Sequence, residues 1–139
     1  MTRFATNIAP HPAAISQLTE DVADFLRGAG VDARAVHHVG LVIDEILTNV
    51  ATHGGSPDAP ASVAIEVRTD RVFGEIGDFG APFDPRTGPE PDLGSPIEER
   101  SIGGLGLHLV RQLTSVLEYR REGRQNWTTF CIAREQGRG

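Results

Sequence analysis

Cysteine is nearly absent from this chain: Cys131 is the only one, which rules out a disulfide within the chain. A reducing compartment fits that, and the cytoplasm is the expected location. Cys131 lies in an apolar run and is expected to be a buried small hydrophobe. No apolar stretch approaches the roughly 20 residues that a membrane span requires, and Met1 to Pro10 lacks the apolar core of a signal peptide. No membrane association is expected. Positive charge is also in short supply. The 13 basic residues face 19 acidic ones, giving a formal net charge of −6, and no basic cluster offsets it. That speaks against direct binding to nucleic acid. Internal repeats and low-complexity segments are lacking too. What remains is an ordinary hydrophobic share, 39% of 139 residues, enough for one domain over 1–139 with a packed core.

The order of elements follows from periodicity. Arg3 to Ile8 reads as a short strand, ended by Pro10 and Pro12, which suit a helix start. Ile15, Leu18, Val22, Phe25 and Leu26 recur at helical spacing up to Gly28 and Gly30. A second helix is expected from about Asp32 to His53, with Val39, Val42, Ile43, Ile46, Leu47 and Val50 on its apolar face and Gly54-Gly55 as its stop. Val63, Ile65 and Val67 alternate with polar residues as a strand does. Val72 to Phe79 reads as the next strand, after a Thr69-Asp70-Arg71 turn. Leu105 to Leu117 looks helical, and two strands near Val116 to Arg121 and Trp127 to Ala133 close the pattern. Trp127 is expected in the core or at an interface. The class is α+β, a two-layer sandwich with helices on one face of a mixed, largely antiparallel sheet. Between Gly80 and Gly103 periodicity vanishes, and Pro82, Pro85, Pro89, Pro91 and Pro96 crowd the segment. So long a structureless stretch in a compact domain suggests a lid over a ligand, about 80–103, rather than a plain surface loop.

Three groups of residues carry chemistry. At about 100° per residue, Glu45, Asn49 and Thr52 share a stripe bordering the apolar face of the second helix. There a carboxylate can accept a proton from an attacking hydroxyl, and an amide oxygen can bind Mg²⁺. Alone, this pair would be read as a solvated helix edge. Asp78 ends a strand, with Gly80 just beyond it. It can accept a hydrogen bond from the exocyclic amine of an adenine, or simply serve a turn. Asp78-Phe79-Gly80 also mimics a motif of eukaryotic-type protein kinases, but the chain is too short for one and lacks both the V-A-I-K lysine and the H-R-D loop. Gly104 and Gly106 lie where a helix begins, and unpaired N–H groups and the dipole there attract phosphate. The cluster has no G-K-[ST] ending and is not a P-loop. With His108-Leu109 in place of a third glycine and a loop before it, it is not a dinucleotide fingerprint either. His37, His38 and His53 lack the accompanying ligands of a metal site, and His53 more simply closes its helix.

The three groups stand in a telling order. Asp44-Glu45-Ile46-Leu47-Thr48-Asn49-x-x-x-His53, then Asp78-x-Gly80-x-Pro82-Phe83-Asp84-Pro85, then Gly103-Gly104-Leu105-Gly106-Leu107 resemble the N, G1 and G2 boxes of the GHKL (Bergerat-fold, histidine-kinase-like) ATPases. The chain looks most like the small anti-sigma-factor serine/threonine kinases among them, over nearly its whole length. The resemblance implies ATP and Mg²⁺ as cofactors, Glu45 as general base and Asn49 as the Mg²⁺ ligand. It implies a nucleotide site built from Asn49, His53, Asp78, Gly80, Pro82, Arg100, Gly103, Gly104, Leu105, Gly106 and Leu107. Asp78 would meet the adenine amine, Gly80 would hinge the lid, and Gly104 and Gly106 would approach the phosphates. Arg100 is the nearest lid arginine. Where the family carries Gly-Thr before its last strand, this chain has Asn126-Trp127-Thr128-Thr129, so either Thr128 or Thr129 could support the adenine. The implied partners are an anti-anti-sigma (STAS-type) protein as substrate and a sigma factor, with a homodimer as the assembly. Two other functions compete: an ATP-binding switch that only sequesters a partner, and a catalytic module detached from a histidine kinase. Retention of both Glu45 and Asn49 favours the kinase, since a pure binder has no need of a base. The short lid and the lack of a helical phosphoacceptor segment disfavour the detached module.

Overall fold

A computed structural model of the protein describes residues 2–53, 59–87 and 102–135, with the side chains of 53 and 102–105 outside that set. The elements run β1 (Thr2–Ile8), α1 (Pro12–Gly28), α2 (Ala33–His53), β2 (Ala61–Val67), β3 (Arg71–Asp78), α3 (Ile102–Leu113), β4 (Val116–Glu122) and β5 (Gln125–Ala133). The strands form one sheet in the order β1-β2-β3-β5-β4. A mixed sheet was among the expectations; every pairing described is antiparallel.

Local chemistry sets the helix ends. His11 is extended and its ring accepts from the Ala14 N–H, while Pro12 occupies the first turn, where its missing donor costs nothing. At the other end of α1, Val31 N bonds Leu26 O and Gly30 N bonds Arg27 O, with Gly30 at φ +79°. This is the paired closure that a left-handed glycine permits, and it buries Val31. Asp32 caps α2 by accepting from the Ala35 N–H at 3.1 Å. The last hairpin turns on Gly123 at φ +59°, between the paired Glu122 and Gln125, as a two-residue loop with glycine first requires.

The core lies between the helices and one face of the sheet. Ile15, Leu18, Val22 and Leu26 of α1 meet Val39, Val42, Ile43 and Leu47 of α2 above Val63, Ile65, Val72, Ile76, Phe130 and Ile132. Each such side chain gains about 1.5–3 kcal/mol on full burial. Gly74 makes room beneath the Phe130 ring, which a β-carbon there would strike. Among the described residues no helix covers the opposite sheet face. Trp127 lies on it half-buried, with the Arg120 guanidinium 5.3 Å from its ring centre. Cys131 is buried on the same face, and desolvation holds its thiol above the ordinary range.

Two boundaries differ from expectation. The third helix begins at Ile102 and ends at Leu113, so Val116 and Leu117 belong to β4. Ser115 N bonds Cys131 O at 2.8 Å and draws the chain into the sheet. No described helix is long and apolar enough to cross a membrane.

Candidate nucleotide site

Four polar residues are buried among the described ones: Asn49, Asp78, Asn126 and Thr128. All four line the same cleft. Ile46, Val50, Ala81, Phe83, Pro85 and Leu107 complete the lining of the cleft, which is partly open to solvent. An apolar wall with a few convergent polar groups suits a flat heteroaromatic ligand.

α2 supplies the first wall. Its apolar stripe presses Ile46 into the core, so Glu45 and Asn49, one helical turn apart, come to the rim. Asn49 Nδ2 donates to Glu45 Oε1 at 3.3 Å, which leaves Asn49 Oδ1 as an acceptor. Burial raises the affinity of the Glu45 carboxyl for its proton above the ordinary range. The Asn49 donor opposes this, and the charge of Asp44 adds to it.

β3 supplies the floor. Antiparallel pairing places Asp78 at its last position, opposite Asn126 of β5. Asp78 Oδ1 accepts from Gly80 N at 2.8 Å, closing a turn at the strand exit, and from Asn126 Nδ2 at 2.9 Å. β5 adds Thr128. The pleat turns adjacent side chains to opposite faces, so Thr128 lines the cleft while Thr129 lies on the other face, 3.5 Å from Glu75 Oε2. Of the two threonines left open by the sequence, Thr129 is thereby removed from the site.

α3 supplies the last wall through Leu107. Gly103, Gly104 and Leu105 fall in its first turn, where N–H groups lack partners within the helix. Gly106 comes after those free donors. A β-carbon on it would collide with the Glu45 carboxyl group, so this glycine lets α3 lie against the acid of α2. Gly80 is buried at the exit of β3, and Pro82 is exposed and does not line the cleft. Arg100 and the lid beyond residue 87 lie outside the described residues, as does the His53 side chain. Asn126 and the apolar wall residues Ala81, Phe83 and Pro85 were not anticipated as site residues. A signal for Asn126 existed: Asn126, Thr128, Phe130 and Ile132 alternate on one strand, so its amide had to face the core.

Comparison with known proteins shows the class to which this chain belongs. A model of the histidine kinase-like ATPase domain matches residues 8–132. The chain belongs to that family. Among curated proteins it is similar to the serine/threonine-protein kinase BtrW of Bordetella bronchiseptica, 34% identical over 102 residues, which span 72% of this chain and 70% of BtrW. It is also similar to the serine-protein kinase RsbW of Listeria monocytogenes, 32% identical over 61% of this chain and 58% of that protein. The kinase class argued from the motifs is thus the class these relatives carry. Among solved structures, the RsbU and RsbW domains of Rv1364c from Mycobacterium tuberculosis align with 99% of this chain and 34% of theirs, at TM-score 0.71 and 15% identity. The nucleotide-free catalytic domain of the histidine kinase ThkA aligns with 99% of this chain at TM-score 0.53 and 13% identity. These two likenesses are of fold.

Proposed function

We propose that residues 1–139 form one ATP-dependent protein serine/threonine kinase domain that phosphorylates a small anti-anti-sigma protein and, unphosphorylated partner aside, sequesters a sigma factor. The observation that carries this reading is the convergence of all four buried polar residues on one cleft, with a half-buried acid bonded to one of them at its rim. The curated kinase relatives support it.

In this reading Asp78 accepts from the adenine amine, and guanine, with a carbonyl at that place, sets acceptor against acceptor. Mg²⁺ would be held by Asn49 Oδ1 together with phosphate oxygens. Among the described residues no three His, Cys, Asp or Glu side chains group as a metal cluster, and a nucleotide-borne Mg²⁺ needs only one or two protein ligands. Bound there, the ion neutralises charge on the phosphates. Glu45 takes the proton of the incoming serine or threonine hydroxyl. Gly103 and Gly104 offer free backbone donors to the phosphates, and Arg100 would close over them from the lid. In this reading the phosphoacceptor is a serine or threonine of another protein. A homodimer and a cytoplasmic location are part of the proposal.

The test is capture of partners from a native lysate, followed by incubation with radiolabelled ATP and mapping of the labelled residue. A labelled serine or threonine on a small partner is the expected result. A partner that binds in an ATP-dependent way yet takes no label would favour the passive switch instead.

A further inference from the structure

Asn126 lies 3% exposed on β5, and every part of its amide is engaged. Nδ2 donates to Asp78 Oδ1 at 2.9 Å, to Ala81 O at 2.9 Å and toward Gly80 O at 3.4 Å. Oδ1 accepts from the Tyr119 hydroxyl at 2.5 Å and from Arg121 Nη1 at 3.1 Å, both on the neighbouring β4. Those surroundings admit only one orientation of the amide. Turned over, it would set its N–H groups against the Tyr119 and Arg121 donors and its oxygen against a carboxylate and two carbonyls. Arg121 Nη1 also donates to Gly80 O at 2.7 Å, so the edge strand grips the exit of β3 twice, once directly and once through Asn126.

The arrangement constrains Asp78. Both of its described bonds, from Gly80 N and Asn126 Nδ2, fall on Oδ1. Oδ2 is left as the oxygen for a ligand donor, on a residue that lines the cleft. We infer that Asn126, with its amide oriented by Tyr119 and Arg121, is a positioning residue that aims Asp78 at the exocyclic amine of a purine, and so helps to set base specificity. This rests on the reading of the cleft as an adenine site. An amide buried on the core face of a strand is costly unless its bonds are made, and here each bond its N–H groups donate goes to Asp78 or to the chain just beyond it.

The test couples a change in the protein to a change in the ligand. ATP and purine riboside 5′-triphosphate, which lacks the exocyclic amine, are titrated with Mg²⁺ into wild type, N126A, N126D and Y119F, with thermal melts as a check on folding. N126D keeps the shape of the amide and its bonds to Tyr119 and Arg121 but sets a second carboxyl against Asp78, so it is titrated at a pH high enough that the two do not share a proton and no bond is donated to Asp78. A hydrogen bond to a charged group contributes about 1.5–3 kcal/mol, so N126A and N126D are expected to weaken ATP binding by about 10–100-fold. The amine-free analogue should bind all four proteins within about 3-fold, a difference well under that of one hydrogen bond. Y119F should lose part of the preference. Equal weakening of ATP and the analogue would make Asn126 a structural clamp and overturn the inference, as would unchanged ATP affinity in N126D. Wild type that prefers ATP to the analogue while the variants keep that preference defeats the inference alone. Wild type that binds neither nucleotide defeats the adenine site itself. Should both Asn126 variants fail to fold, Y119F on the edge strand decides: a preference equal to wild type would overturn the assignment.

Discussion

Glu45 is pulled in opposite directions by its neighbours. Burial and the charge of Asp44 favour its protonated form, and the Asn49 amide favours the charged one; burial prevails. A carboxyl NMR titration of Glu45 in the nucleotide-free protein should therefore give a midpoint above the ordinary value of about 4.3. Asn49→Ala should move it higher still, and a midpoint at or below the ordinary value would contradict this account. As the folded state holds this proton more tightly than the unfolded chain does, the group favours folding most below its unfolded value. That contribution is lost as pH rises through the folded value. Phosphoryl transfer should rise over the same interval, because the base works deprotonated. Glu45→Ala should leave ATP binding nearly intact and slow transfer by about 10²–10⁴-fold. Gly106→Ala offers a sharper contrast. Its methyl would turn the flexible Glu45 side chain aside, while alanine gains up to about 1 kcal/mol of helix propensity over glycine. The expected variant melts no lower than wild type and transfers phosphate far more slowly. Full activity would place the working base elsewhere.

Among the elements, α2 bears both the core stripe and the acid–amide pair, so its start matters to the site at its far end. Asp32 caps that start and also accepts from Glu135 N at 2.9 Å. Partial burial would raise its carboxyl, yet the N–H groups of Glu135 and Ala35 outweigh that and hold it below the ordinary range. A depressed carboxylate stabilises the fold above its unfolded value and gives that up as pH falls through its folded one. Asp32→Ala should cost about 1 kcal/mol at neutral pH, with the deficit shrinking toward acid. Urea melts at neutral and acidic pH would check this; a constant deficit would mean the cap contributes through shape alone. The boundaries of α2 and β2 were readable because Asp32, Gly30 and the Val63-Ile65-Val67 alternation each have one local interpretation. The α3–β4 junction was not. Leu113, Val116 and Leu117 fit a helix by spacing, and it is the pairing of Val116 and Leu117 with β5, begun by the bond from Ser115 to Cys131, that decides against it.

At the scale of the whole molecule, an acidic chain of net charge −6 should hold a phosphorylated partner less well than the unmodified one, since the phosphate adds about −1.5 to −2 charges. Binding of both partner forms, measured by calorimetry, should show the phosphorylated form weaker, and the gap should narrow as salt screens the repulsion. An equal affinity would separate release from charge. The site as a whole was legible to the extent that single positions announce their chemistry. Glu45, Asn49 and Asp78 stand at helix and strand positions whose direction follows from local periodicity. The inward side of Asn126 and Thr128 follows from the alternation of β5, but the meeting of Asn126 with Asp78 depends on register against β3, and the role of Gly106 on the approach of two helices. Neither is a property of a short stretch of sequence.

The central position of β5 also sets an order of events during synthesis. Asp78 and the asparagine that bonds it are 48 residues apart, and β5 is the last of the described strands in the chain although it pairs with β3 in the middle of the sheet. At roughly 5–20 residues per second, a ribosome needs roughly 2–10 s to pass from one to the other. Throughout that interval the nascent chain carries Asp78 and the edge of β3 before the strand that pairs with them has been made. The cleft is therefore complete only after the β4–β5 hairpin has docked, and a chaperone that shields the edge of β3 would cover the place that Asn126 and Thr128 later take.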